Sequence, residues 1–132
     1  MFLINFPLML VPFAVYNFFI IGAEENPWED LALRVDMMSG SSFSMTMGEA
    51  LVVLSLGLLF VEILKATRTG VSTIIDHLLS TLVLIAYLVE FLLVGRAASS
   101  TFFILMVVTL LDVVAGYSVS IRNASRDLTI EK

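Results

Sequence analysis

Four runs of mostly apolar residues dominate this chain: 2–21, 47–64, 74–94 and 101–121. Each is close to the roughly 20 residues that a helix needs to cross a bilayer. A membrane β-strand is about half that length and alternates strictly between apolar and polar residues. These runs do neither, so the sequence predicts spanning helices. Hydrophobic residues make up 59% of the 132 and charged residues 14%. Soluble domains average about 25% charged residues, and a water-facing fold this small could not bury so much apolar surface. The expected fold is all-α: a single membrane domain over residues 1–132, built as a four-helix bundle.

The first run has no Lys or Arg within residues 1–23 and is long for a signal peptide. It reads as a retained helix, bent where Pro7 and Pro12 each remove a backbone donor. The polar linkers then set an orientation. Lys65 and Arg68 lie between the second and third runs, and Arg122, Arg126 and Lys132 follow the fourth. The opposite side has only Arg34 and Arg96. Basic loops stay in the cytoplasm, so both termini are expected there. The acidic first loop, with Glu24, Glu25, Glu29 and Asp30, is then expected outside.

That loop carries a pattern of its own. Asn26-Pro27 resembles a cap followed by proline at the first helical position. Trp28, Leu31, Ala32, Val35 and Met38 recur at helical spacing. A short surface helix over about 27–38 is expected, with Trp28 as an interfacial anchor; an ordinary connecting loop is the alternative. Gly40-Ser41-Ser42 ends the pattern.

The chain has no cysteine, which excludes disulfides and cysteine-based zinc sites. Its formal net charge of −5, with basic residues only in ones and twos, argues against nucleic-acid binding. Ionisable groups within the apolar runs are the candidates for function. Thr46 and Glu49 match a capping box, as do Thr73 and Asp76. Glu62 and Lys65, three residues apart on one helix face, are expected to pair with the Lys65 ammonium reaching toward the interface. His77 alone is a poor metal site and reads best as a hydrogen-bonded histidine; cofactor binding is undetermined, and no cofactor or metal is expected. Glu90 lies about one turn inside the outer end of the third run. Asp112 lies near the middle of the fourth. A carboxylate at that depth costs roughly 2.5–3.5 kcal/mol on insertion scales, so Asp112 must be protonated, paired or facing a polar cavity.

Polar and small residues also fall into stripes. Thr73, Asp76, Ser80, Tyr87 and Glu90 share a face of the third run, and Thr101, Thr109, Asp112, Gly116 and Ser120 share a face of the fourth. Gly48, Ser55 and Glu62 form a sparser stripe on the second. Such stripes mark helix contacts in membranes; a proton or ion path is the sharper alternative. Asn123-Ala124-Ser125 matches a glycosylation acceptor but falls on the expected cytoplasmic side. Asp76-His77 with nearby serines has no motif context as a catalytic triad.

The segment Glu62-Ile63-Leu64-Lys65-Ala66-Thr67-Arg68-Thr69-Gly70, within the stretch 47–70, and the segment Leu110-Leu111-Asp112-Val113-Val114-Ala115-Gly116 resemble small four-helix bacterial inner-membrane proteins. The resemblance implies an architecture and a location, and no activity. Three function classes compete. A non-enzymatic accessory or scaffold subunit, associating with itself or with another integral membrane protein, suits the short loops and the lack of catalytic motifs. A small oligomeric channel or proton-coupled carrier using Asp112 and Glu90 is the alternative. An enzyme or cofactor carrier is the weakest.

Overall fold

The computed structural model describes residues 6–21, 23, 25–67 and 71–131, with 71–73 and 123–131 described by backbone only. Helix α1 is Leu10–Ile20. A single 3₁₀ turn at Pro27–Glu29 leads into a hairpin of β1 (Leu31–Asp36) and β2 (Ser42–Thr46). Helices α2 (Met47–Lys65) and α3 (Val71–Leu93) follow, then a 3₁₀ turn at Gly95–Ala97 and helix α4 (Ser100–Glu131). Most of the chain is helical. Three segments among the described residues are long and apolar enough to cross a membrane: Met47–Lys65, Ile74–Leu93 and Ser100–Arg122.

The central element is α4, which packs along both α2 and α3. Helix α1 lies against α2 and α4. The interior is rich in aromatics near the Arg96 end. Tyr16 stacks on Trp28 with ring centroids 5.3 Å apart, and Phe13 meets Tyr87 edge-on at 4.9 Å. Large apolar side chains also cover the outside of the helices: Val53, Leu54 and Phe60 on α2, Leu78, Leu82 and Leu92 on α3, Phe103, Leu110 and Val114 on α4. Soluble monomers do not expose apolar surface on this scale.

Three expectations from the sequence need correction. The first run is not one long helix. Its residues 2–5 lie outside the described residues, and α1 has 11 residues, roughly 16 Å of rise. The cause is Pro12. Its nitrogen cannot bond to the carbonyl of Leu8, and its ring would crowd that carbonyl. The helix therefore starts at Leu10, where Pro12 falls in the first turn and its missing N–H leaves no gap, because the first four amides of a helix have no intrahelical partner. Pro7 precedes the helix and bends nothing.

The expected surface helix over 27–38 is a β-hairpin instead, so the fold is not purely α. Leu31, Leu33, Val35 and Met37 alternate strictly, the period of a strand. Leu33 pairs with Met45 and Val35 with Phe43, which puts these apolar side chains on one face. Gly40 has φ +92° in the turn, a left-handed conformation that glycine adopts without steric cost. A helix over these residues would have no partner for strand β2. Met47 donates from its backbone to Asp30 O at 2.7 Å, tying the hairpin base to the start of α2.

Helix α3 begins at Val71; the second expected capping box, Thr73 with Asp76, lies outside the described residues, because the Thr73 side chain does. The first capping box is present: Glu49 N donates to Thr46 Oγ1 at 3.1 Å and Thr46 N to Glu49 Oε1 at 2.9 Å. Helix α4 continues to Glu131, ten residues beyond its expected end. Arg68, Glu24 and Lys132 lie outside the described residues.

Candidate functional site: a buried polar seam

Residues 6–9 run irregularly before α1, and their backbone groups need partners. Backbone polar groups taken out of water must be hydrogen-bonded within the protein. Here three side chains from other helices do so. Lys65 Nζ donates to Phe6 O at 2.7 Å, Leu8 N donates to Glu62 Oε1 at 3.1 Å, and Tyr87 OH donates to Met9 O at 3.0 Å. Lys65 also donates to Glu62 Oε1 at 2.8 Å. Glu62 and Lys65 are therefore two ends of a clamp on the N-terminal segment.

Lys65 is only 8% exposed, so it does not reach out to the interface as expected. The cause is Asp76, one of whose oxygens lies 3.3 Å from Lys65 Nζ. That separation gives Coulombic attraction without the alignment of a hydrogen bond, and Asp76 Oδ1 has no hydrogen-bond partner. Asp76 thus serves as a counter-charge between helices.

Asp112 joins the same group. It is 4% exposed, lies beside Ser80, and is within electrostatic reach of Glu62, Asp76 and Lys65. Its Oδ2 has no partner. His77, next to Asp76, turns to a different neighbour: its Nε2 is 2.6 Å from Ser120 Oγ, and the Ser120 hydroxyl also reaches Ala66 O at 3.1 Å. Asp76 and His77 therefore form no triad. The His77 ring packs where Gly116 leaves room; a Cβ on Gly116 would lie 3.0 Å from its Cε1. A cleft of about 230 Å³, lined by His77, Tyr117 and Ser120 among apolar residues, opens beside it. Among the described residues, no three Asp, Glu, His or Cys side chains converge as a metal site.

The seam continues toward the other end. Thr109 bonds back to Leu105 O at 2.9 Å and sits beside Tyr87. Glu90 lies next to Asn17, with its Oε2 buried and unpartnered. Tyr16 OH pairs with Ser99 Oγ at 2.7 Å, and Arg96 Nη1 donates to Ile20 O at 2.6 Å, covering the last carbonyl of α1. Trp28 is not a surface anchor: it is 3% exposed, between Tyr16 and Phe19.

Among the expected site residues, Glu62, Asp76, Ser80 and Asp112 come together, with His77 at their edge. Tyr87, Thr109 and Glu90 form a second group along the seam. Sequence reading missed Lys65 as a buried member and did not single out Tyr16, Asn17 or Arg96 as site residues. One signal was available: Tyr16-Asn17 are adjacent polar-capable residues inside an otherwise apolar run. No protein-family model matches this chain, and no curated protein or solved structure is similar to it.

Proposed function

We propose that this chain is a non-enzymatic integral membrane protein of the bacterial inner membrane, acting as an accessory or scaffold subunit that binds itself or a larger membrane complex through its helix faces. The observation that carries this reading is the use of the interior polar groups. Lys65, Glu62, Tyr87 and Arg96 are engaged with the backbone of the chain's own N-terminal region, while the outer faces of α2, α3 and α4 are apolar. Interior polarity of that kind holds a bundle together, and the outside is left for lipid and for other helices. Native purification tests it. A subunit co-purifies with a larger complex in fixed ratio or as a defined homo-oligomer; a strict monomer in native lipid would refute it.

Four crossings with both termini cytoplasmic belong to the same proposal. The fourth crossing is made by α1, roughly 16 Å long against a hydrocarbon thickness of about 30 Å, together with the segment before it, which the turn at residues 6–9 ties to Lys65 and Glu62. In the cysteine-free chain, Glu25→Cys should label from outside and Ser125→Cys should not; the reverse would overturn the orientation.

The alternative, a small oligomeric channel or proton-coupled carrier, is favoured by one observation: Asp112 and Glu90 each keep a buried carboxylate oxygen without a partner. Proton flux in liposomes, measured beside assembly for Asp112→Asn, separates the two readings. Flux abolished with assembly intact would favour the carrier.

A further inference from the structure

We infer that the cavity between the hairpin and the first turns of α2 and α4 binds one phospholipid whose headgroup carries a protonated amine, of the phosphatidylethanolamine type. The inference rests on the membrane reading of the helices, and its test separates the two.

The cavity holds about 640 Å³, within the range of pockets that take small molecules. Phe43 and Met45 of β2 form one wall, and Val52 and Val53 of α2 with Ile104 of α4 form another. Val53 is 56% exposed and Ile104 43%. Both belong to the apolar outer surface of the helices, so the cavity is continuous with the surface that meets lipid.

Its lining is ordered along the helix axes. Glu49 lies in the first turn of α2, and Ser100 and Thr101 begin α4 at the same end of the bundle. Val52, Val53 and Ile104 follow three or four residues later, about 5 Å deeper. Charge and hydroxyl groups at the bundle end, with alkyl groups one turn inward, match a phospholipid of that leaflet, headgroup outward and chains inward. A spanning helix from a partner or a second copy is apolar along its length and would desolvate the cavity's carboxylates without supplying a cation.

Charge selects the headgroup. Glu29 and Glu49 border the cavity and no Lys or Arg does. One Glu49 oxygen accepts from Thr46 N, which leaves the other to accept from a ligand. An ammonium brings a positive charge and three N–H donors to these acceptors; a headgroup with only negative charge would be repelled. The hydroxyls of Ser44, Ser100 and Thr101, also at the cavity, suit donation to the lipid's phosphate and ester oxygens.

Trp28, the only tryptophan of the chain, borders the cavity, so its fluorescence reports the occupant. The full chain is placed in vesicles of equal parts phosphatidylethanolamine and phosphatidylglycerol, with a small fraction of one or the other carrying brominated chains, which quench on close approach. Brominated phosphatidylethanolamine should occupy the site with roughly fivefold preference, the upper end for an exposed ion pair. Glu29→Gln combined with Glu49→Gln should abolish the preference; glutamine still serves the capping box, so the fold stays intact. Val53→Phe should reduce quenching by both lipids with circular dichroism unchanged, because the ring fills space beside the apolar wall. Equal quenching by the two lipids in the wild type, a preference that survives the double substitution, or no effect of Val53→Phe would overturn the site. Quenching by neither lipid in a chain that floats with the vesicles would overturn the site and leave the membrane reading standing; a chain that does not float with them would overturn both.

Discussion

Lys65→Met should destabilise the protein by about 3–5 kcal/mol, the range for removing one partner of a buried ion pair. Methionine fills a similar volume, so lost packing contributes little. The loss is electrostatic: the Glu62 carboxylate loses its 2.8 Å ammonium, Asp76 loses its counter-charge, and Phe6 O loses its donor. Denaturation by increasing SDS in mixed micelles, followed by circular dichroism, gives the difference. The double variant Lys65→Met with Glu62→Gln should recover a large part of it, because the amide is neutral and still accepts from Leu8 N. A loss below about 1 kcal/mol, the scale of an exposed pair, would mean that Lys65 is solvated and the clamp is not as described.

Gly48→Ala should be the most damaging single-methyl addition, at about 1–3 kcal/mol, the usual range for overpacking. A Cβ at Gly48 would collide with Thr101 Oγ1 and lie 2.9 Å from Trp28 O. Thr101 can rotate away, but the Trp28 carbonyl is backbone, held by the 3₁₀ turn and by the stacking of Trp28 on Tyr16. Thr101→Ala should therefore rescue only part of the loss. Gly57→Ala is the internal control: nothing lies within 4 Å of its Cβ position, and alanine favours helix over glycine by up to about 1 kcal/mol. The same denaturation assay should find Gly57→Ala neutral or slightly stabilising. Equal effects at positions 48 and 57 would show that helix propensity, not the close approach of α2 to Trp28 and α4, sets the cost at Gly48.

Much of the candidate site was readable because the stripes are local periodicities. Asp76, Ser80 and Tyr87 share a face by their spacing alone, and so do Thr109, Asp112 and Gly116. An intramembrane Asp112 has few acceptable environments, so its inward orientation followed from cost. The partners were not readable in the same way. Whether Asp76 meets Lys65 or caps its own helix depends on how the ends of α2 and α3 approach one another, and no i,i+4 rule describes that.

The run over 27–38 shows the limit most clearly. Its apolar residues fit helical spacing through Trp28, Leu31, Ala32, Val35 and Met38, and they fit alternation through Leu31, Leu33, Val35 and Met37. Local pattern leaves the two equal. Strand β2, docked by Met47 onto Asp30 O, breaks the tie, and it does so through pairs up to 15 residues apart such as Leu31 with Thr46.

Residue order alone was enough for the three long helices, the Thr46–Glu49 cap and the inward face of each helix, because length, hydropathy and 3.6-residue periodicity are properties of adjacent residues. Packing decided the rest. Pro12 sets where α1 can begin, but only the Lys65, Glu62 and Tyr87 side chains make the irregular backbone before it tolerable. Lys65 has a stem long enough to reach water, yet it stays inside because two carboxylates and a carbonyl converge there. A backbone carbonyl or a carboxylate stranded in a low-dielectric interior must find a donor, and in this protein some of those donors come from positions more than 50 residues away in the chain, as with Leu8 and Glu62 or Met9 and Tyr87.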